Sequence, residues 1–176
     1  MSANCIIIMG VSGSGKTSVG RELAQKWSAK FFDGDDLHLR SSIVKMASGH
    51  PLDDNDRAPW LERLNDVVFS LNHKNERGVI VCSALKKRYR DRIREGNHRL
   101  LFVFLNCDLD ILQHRLEARS NHYMPVQLLQ SQFDILERPD KSEPDVVSVN
   151  ADSLTVEQLV DECLDIVGFE KQQQVE

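Results

Sequence analysis

Gly10-Val11-Ser12-Gly13-Ser14-Gly15-Lys16-Thr17 fits the pattern G-x-x-x-x-G-K-[ST], and what flanks it decides the fold. Before it, the apolar run Cys5 to Met9 reads as a buried strand. After it, Val19, Leu23 and Trp27 recur at the spacing of one helix face. Glycines between a strand and a helix let the backbone wrap an anion with its N–H groups turned inward. The positive end of the helix dipole points at the same place. Lys16 is the candidate for reaching the β- and γ-phosphates, and the Thr17 hydroxyl the candidate for binding Mg²⁺. All eight residues (Gly10, Val11, Ser12, Gly13, Ser14, Gly15, Lys16 and Thr17) form the expected nucleotide cradle. A Gly/Ser-rich turn that happens to hold a lysine would leave the matching strand and helix unexplained.

Outward from this loop, apolar runs alternate with helical patterns. Lys30 to Phe32, Val79 to Cys82, Leu100 to Leu105 and Val146 to Val149 read as strands. A helix is predicted from Asp36 towards Ala47, stopped by Ser48-Gly49-His50-Pro51. Trp60, Leu64, Val67, Val68 and Leu71 mark one face of a long helix with Pro59 near its first turn. A basic helix spans Lys86 to Glu95; Leu109, Leu112 and Leu116 mark another, and Pro125 to Leu136 a short one. Thr155-x-x-Gln158 is a capping-box signature that opens a last helix through Cys163 and Val167. Strands alternating with helices predict an α/β protein whose parallel sheet is covered on both faces, with binding groups where the strands end.

The totals set bounds. A chain of 176 residues, 41% hydrophobic and 28% charged, suits one domain with its own core. Its net charge of −5 argues against general nucleic-acid affinity. Cys5, Cys82, Cys107 and Cys163 are widely spaced and mostly in apolar runs, so they read as core thiols in a reducing, cytoplasmic setting. Met1 to Asn4 has no basic side chain and no apolar run could span a bilayer, so neither a signal peptide nor a membrane segment is expected.

Phosphoryl transfer needs a cation, charge around the moving group and a residue that orients the acceptor. Asp33 and Asp35 lie at a strand end, two apart, and in extended backbone would point the same way. Asp33 is the candidate for holding Mg²⁺ through water, and Asp35 for taking or orienting the acceptor's hydroxyl proton. The competing reading of Asp33-Gly34-Asp35-Asp36 is a turn with a helix cap. Arg115 and Arg119 are four apart on a helix face. They read either as a solvated face or as a pair that closes over the phosphates. Most of the cations from Lys86 to Arg99 read as facing water, with Lys86, nearest the sheet's end, the candidate for an anionic ligand. Arg57 is either a surface ion pair with Asp56 or a fork for a carboxylate.

Taken together, the chain resembles the gluconokinases, small ATP-dependent sugar-acid kinases related to shikimate kinase and the nucleoside monophosphate kinases. The matching blocks are GVSGSGKT (Gly10–Thr17), DGDDLH (Asp33–His38), KMASGHPLDDNDRAPWL (Lys45–Leu61), CSALKKRYRD (Cys82–Asp91) and HYMPVQLLQSQFDILERP (His122–Pro139). The phosphate loop alone is widely shared; the other blocks together are specific. The resemblance implies a three-layer P-loop kinase fold with a five-stranded parallel sheet flanked by helices. One domain would cover residues 1–169, with a mobile lid over about 119–136 and a polar tail at 170–176. It implies phosphorylation of D-gluconate by ATP on the terminal hydroxyl, with Mg²⁺, in a homodimer. Lys16, Asp35 and Arg119 become the expected catalytic set, and Arg115 and Arg119 join the nucleotide side. Asp35, His38, Arg57 and Lys86 face the sugar acid, and Thr17 and Asp33 the metal. Leu39, Ser42, Cys107 and Asn121 depart from residues usual in relatives (proline, asparagine, glycine and glycine), but none removes a phosphate, metal or acid group.

Other classes fit less well. A guanine-nucleotide switch usually carries N-K-x-D, which is missing, and the one D-x-x-G, Asp165 to Gly168, falls in the last helix. A nucleic-acid module on Lys86 to Arg99 conflicts with the acidic total and few aromatics.

Overall fold

The computed structural model describes residues 3–118 and 126–168. Arg119, Asn121, His122 and the tail at 170–176 therefore lie outside the described residues. Five parallel strands, β1 (Cys5–Met9), β2 (Lys30–Asp33), β3 (Gly78–Val81), β4 (Leu100–Asn106) and β5 (Val146–Asn150), form one sheet in the order β2-β3-β1-β4-β5. β1 lies at the centre, with Ile7 level with Ile80 on one side and Phe102 on the other.

The run Cys5–Met9 is apolar without alternation because both faces of the sheet are covered. Its side chains still alternate, as a strand requires. Ile6 and Ile8 enter a core shared with Val19, Leu23, Leu112, Leu129, Val160 and Cys163. These come from helices α1 (Lys16–Lys26), α5 (Leu109–Glu117), α6 (Val126–Ile135) and α7 (Val156–Ile166). Cys5, Ile7 and Met9 face the other way, against Trp60, Leu64, Val68, Tyr89 and Ile93. Those side chains belong to α3 (Asp54–Lys74) and α4 (Lys87–Arg94). The expected five-stranded, three-layer architecture is thus present. All four cysteines are free and buried.

Two helices start differently from their sequence reading. The stretch after β2 is not one helix from Asp36. A 3-10 turn covers Gly34–Leu37, His38 and Leu39 are extended, and α2 (Arg40–Ala47) starts afresh. Asp33 caps the turn's start, its carboxylate accepting from the Asp35 N–H at 3.0 Å, and Arg63 of α3 takes the Leu37 and His38 carbonyls where the turn stops. α3 in turn begins well before Pro59. Asp53 and Asp56 form a reciprocal capping box around its first turn, which leaves Pro59 in the second turn. The capping box expected at Thr155 and Gln158 is present and opens α7.

Candidate active site

The loop from Gly10 to Gly15 leaves the end of β1 and turns into α1. Gly10 has φ 144°, and a Cβ there would lie 2.9 Å from the Leu105 carbonyl oxygen, so β4 packs where a side chain would stand. Gly15 is the N-cap of α1, with no side chain capping the helix and no acidic residue in its first turn. Its first N–H groups are thus left for an anion, and the helix dipole favours one there. The Lys16 ammonium reaches back across the loop and donates to the Val11 carbonyl at 2.9 Å. Burial draws its pKa below the ordinary lysine value; the Asp35 and Asp33 carboxylates act the other way, so their charge reaches the ammonium. Thr17, the next residue, is exposed. Ser14 is buried, and its hydroxyl has no hydrogen-bond partner among the described residues.

Asp33 and Asp35 are carried beside this loop by the tight approach of β2's end to β3. A Cβ on Gly34 would meet the Val81 carbonyl oxygen at 2.6 Å and the Cys82 Cβ at 2.9 Å, so the D-G-D spacing admits no larger residue in the middle. The two carboxylates are not aligned by extended backbone, as the sequence suggested. Asp33 is extended but Asp35 lies in the 3-10 turn, exposed. Asp33 thus acts as the cap that the competing reading expected, with one oxygen held by the Asp35 N–H. Trp60 fixes the turn from α3, its indole N–H donating to the Gly34 carbonyl at 2.7 Å. His38 stacks on the Trp60 ring at 4.6 Å, and Arg63 donates to the Leu37 and His38 carbonyls. Burial pushes the His38 imidazole below its ordinary pKa; Asp35 opposes this and Arg57 adds to it. Its Nδ1 is buried without a hydrogen-bond partner among the described residues.

A cationic cluster lies between the start of α3 and α4. Arg57 is not paired with Asp56, whose carboxylate takes Lys45 at 2.6 Å. Instead its Nη1 donates to the Tyr89 hydroxyl at 3.1 Å. Tyr89 donates in turn to Asp54, which also takes ion pairs from Lys86 and Arg88. Lys86, the candidate for an anionic ligand, thus has a carboxylate beside it in Asp54 at 3.2 Å. The departure Ser42 is buried here, its hydroxyl 3.5 Å from the Asp56 carbonyl.

The reading of α4's cations as mostly solvated also fails. Arg90 is among the most buried side chains of the protein, held in a two-toothed pair with Glu143 at 2.6 and 2.8 Å. It also donates to the carbonyls of Ala84, Leu85 and Glu137. Arg94 joins Asp91, Glu143 and Asp145, and Arg92 joins Glu62 and Glu95. Asp91 and Glu95 of the stretch itself, with Asp54, Glu62, Glu143 and Asp145 from elsewhere, absorb the charge that made it stand out. Arg115 is likewise not on a solvated face. Its guanidinium donates to the Ala151 and Asp152 carbonyls at 2.8 and 2.6 Å and lies 3.9 Å from Cys107, the residue at one of the departures. Its partner Arg119 lies outside the described residues.

Several residues of this site lie inside the matching blocks but carry no role in the sequence reading. Asp54, Tyr89 and Arg90 belong to Lys45–Leu61 and Cys82–Asp91, and no local pattern names their partners. Gln132 of α6, which bonds to Ser12 of the loop, is 120 residues away from it.

A family model described as shikimate kinase matches residues 12–167. The thermosensitive gluconokinase of Escherichia coli (strain K12) is 53% identical over 150 residues, covering 85% of this chain and 80% of that protein. The thermoresistant gluconokinase of the same organism is 51% identical over 146 residues, covering 83% of each. A crystal structure of a gluconokinase from Sinorhizobium meliloti 1021 superposes with a TM-score of 0.82 at 40% identity, covering 94% of this chain and 91% of that one.

Proposed function

As the chain belongs to the gluconokinase family, we propose that it transfers the terminal phosphoryl group of ATP to D-gluconate. The acceptor is the terminal hydroxyl, and the products are 6-phospho-D-gluconate and ADP. The observation that carries the sugar-acid reading is Arg57. Among the described residues of the cluster, Lys45, Lys86 and Arg88 each have a carboxylate, whereas Arg57 meets only the neutral Tyr89 hydroxyl. An uncompensated, half-buried guanidinium favours an incoming carboxylate, which its fork binds with two parallel bonds.

The chemistry follows from the residues around it. The loop N–H groups and the uncapped start of α1 hold the phosphates, and Lys16 leaves the Val11 carbonyl to reach the β- and γ-phosphoryl oxygens. Asp35 accepts the hydroxyl proton as the new O–P bond forms and the bond to the β-phosphate oxygen breaks. His38 and Arg57 border the acceptor on the α3 side, with Lys86 behind them. Arg115, fastened to the chain after β5, lines the nucleotide end, and Arg119 adds positive charge. Mg²⁺, when bound, would supply positive charge against the phosphates. Thr17 and Asp33 would hold it. One hydroxyl and the second oxygen of a carboxylate form an all-oxygen set, which suits an ion that keeps several of its waters.

The reading places these parts in one kinase domain over residues 1–169, with 119–136 as its lid, in a cytoplasmic homodimer. Family resemblance supports the lid and the dimer. Among the described residues no helix is long and apolar enough to cross a membrane, and all four thiols are free. ADP release, measured with gluconate, other sugar acids, shikimate and a nucleoside monophosphate as acceptors, tests the assignment. Gluconate is expected to be strongly preferred; equal turnover on shikimate or a nucleotide would overturn it.

A further inference from the structure

We propose that Gln132 is a positioning residue that clamps the rim of the phosphate loop to helix α6; this rests on the reading of that loop as the nucleotide site. The Gln132 Oε1 accepts from the Ser12 backbone N–H at 2.7 Å, and its Nε2 donates to the Ser12 hydroxyl at 2.8 Å. A backbone N–H can only donate, so the orientation of the carboxamide is set by its partner. Glutamine fits the pair without charge, one end accepting and the other donating, and asparagine is one methylene shorter. α6 falls within the proposed lid, and here its Leu129 is buried in the core with Phe133 and Ile135 packed on it, so Gln132 ties the loop to the lid helix where that helix rests on the core.

The clamp matters because of what happens to the neighbouring residue. Before nucleotide arrives, the Val11–Ser12 rim is held from inside by the Lys16 ammonium on the Val11 carbonyl, and from outside by Gln132 on Ser12. Phosphates draw Lys16 away from Val11. Gln132 is then the remaining side-chain hold on the rim, and the order it preserves is order that binding need not impose. The clamp therefore acts on nucleotide affinity and leaves the acceptor's pocket alone.

The test uses the full chain, titrated calorimetrically with a non-hydrolysable ATP analogue and with ADP. Gln132→Met keeps the length and apolar stem but lacks both polar atoms, and Gln132→Ala removes the whole arm. Both are expected to weaken the two nucleotides about tenfold, the scale of two lost hydrogen bonds. KM for ATP rises with them, while KM for gluconate stays within about twofold. Ser12→Ala, which removes one half of the contact, should cost less in the Gln132→Met background than alone. Unchanged nucleotide affinity, full additivity with Ser12→Ala, or an equal loss of gluconate and nucleotide binding would overturn the clamp. If the unaltered chain binds nucleotide but ignores gluconate, the functional reading fails while the affinity comparison still decides the clamp. If it binds no nucleotide, both fall.

Discussion

The Arg57 guanidinium donates to the Tyr89 hydroxyl at 3.1 Å, joining α3 to α4 across 32 positions of sequence. Tyr89 passes the contact on to Asp54, so a hydroxyl stands between the Arg57 guanidinium and the carboxylate that takes Lys86 and Arg88. Asp54 thereby keeps Lys86 and Arg88 occupied without quenching Arg57.

Arg57→Lys keeps the charge and loses the fork, and is expected to raise KM for gluconate about tenfold with little change for ATP. Tyr89→Phe removes the hydroxyl that steadies the guanidinium and should raise the same constant by about fivefold. Steady-state kinetics with each substrate varied in turn checks both. An unchanged gluconate KM in Arg57→Lys would end the carboxylate assignment.

Lys16→Ala removes the cation at the γ-phosphoryl group. kcat should fall by roughly 10² to 10³, the usual cost of losing one transition-state donor. Near-normal turnover would mean the ammonium only closes the empty loop through Val11.

Asp35→Asn preserves shape and removes the base. A loss in kcat greater than about tenfold is expected, about 1.4 kcal/mol or more of barrier. If KM for gluconate rose alone, Asp35 would be a binding group and the proton would leave by another route.

Stability at low pH should report Glu143. Burial pushes its carboxyl upward, but the hydrogen bonds from Arg90 and Arg94 outweigh it and leave the pKa below the ordinary value. A carboxyl depressed in the folded state adds stability above its unfolded pKa of about 4.3 and loses it as the pH falls through the folded value. Glu143→Gln leaves Arg90 buried and unpaired, which costs about 3–5 kcal/mol at pH 7. The gap from the parent should narrow below pH 4 in denaturant melts; a gap that stays constant with pH would refute the linkage.

The fold was legible because its signals were local. The five strands are short apolar runs bounded by turn residues, and the loop after Met9 tells the reader which end of the sheet binds. Thr155 and Gln158 announced α7 by a contact spanning three residues. The site was legible only in part, for a matching reason. Lys16, Asp33 and Asp35 belong to contiguous motifs, whereas the partner of Ser12 is Gln132 and the partner of Arg90 is Glu143. No periodicity links such pairs. The split after Leu37 has no local signal of its own, because the Leu37 and His38 carbonyls are taken by Arg63, 26 and 25 positions further on. The basic run misled because its neutralising acids are scattered from Asp54 to Asp145.

The four thiols give the protein a built-in gauge of its own opening. Burial pushes Cys82 and Cys163 up to about 12 and raises Cys5 and Cys107 as well, so each stays protonated and poorly nucleophilic while the chain is folded. Cys5 and Cys82 flank the central layer under α3, and Cys163 lies under the opposite one. An alkylating reagent therefore reads the rate at which each side of the sheet comes apart, and oxidants should spare the catalyst until it unfolds.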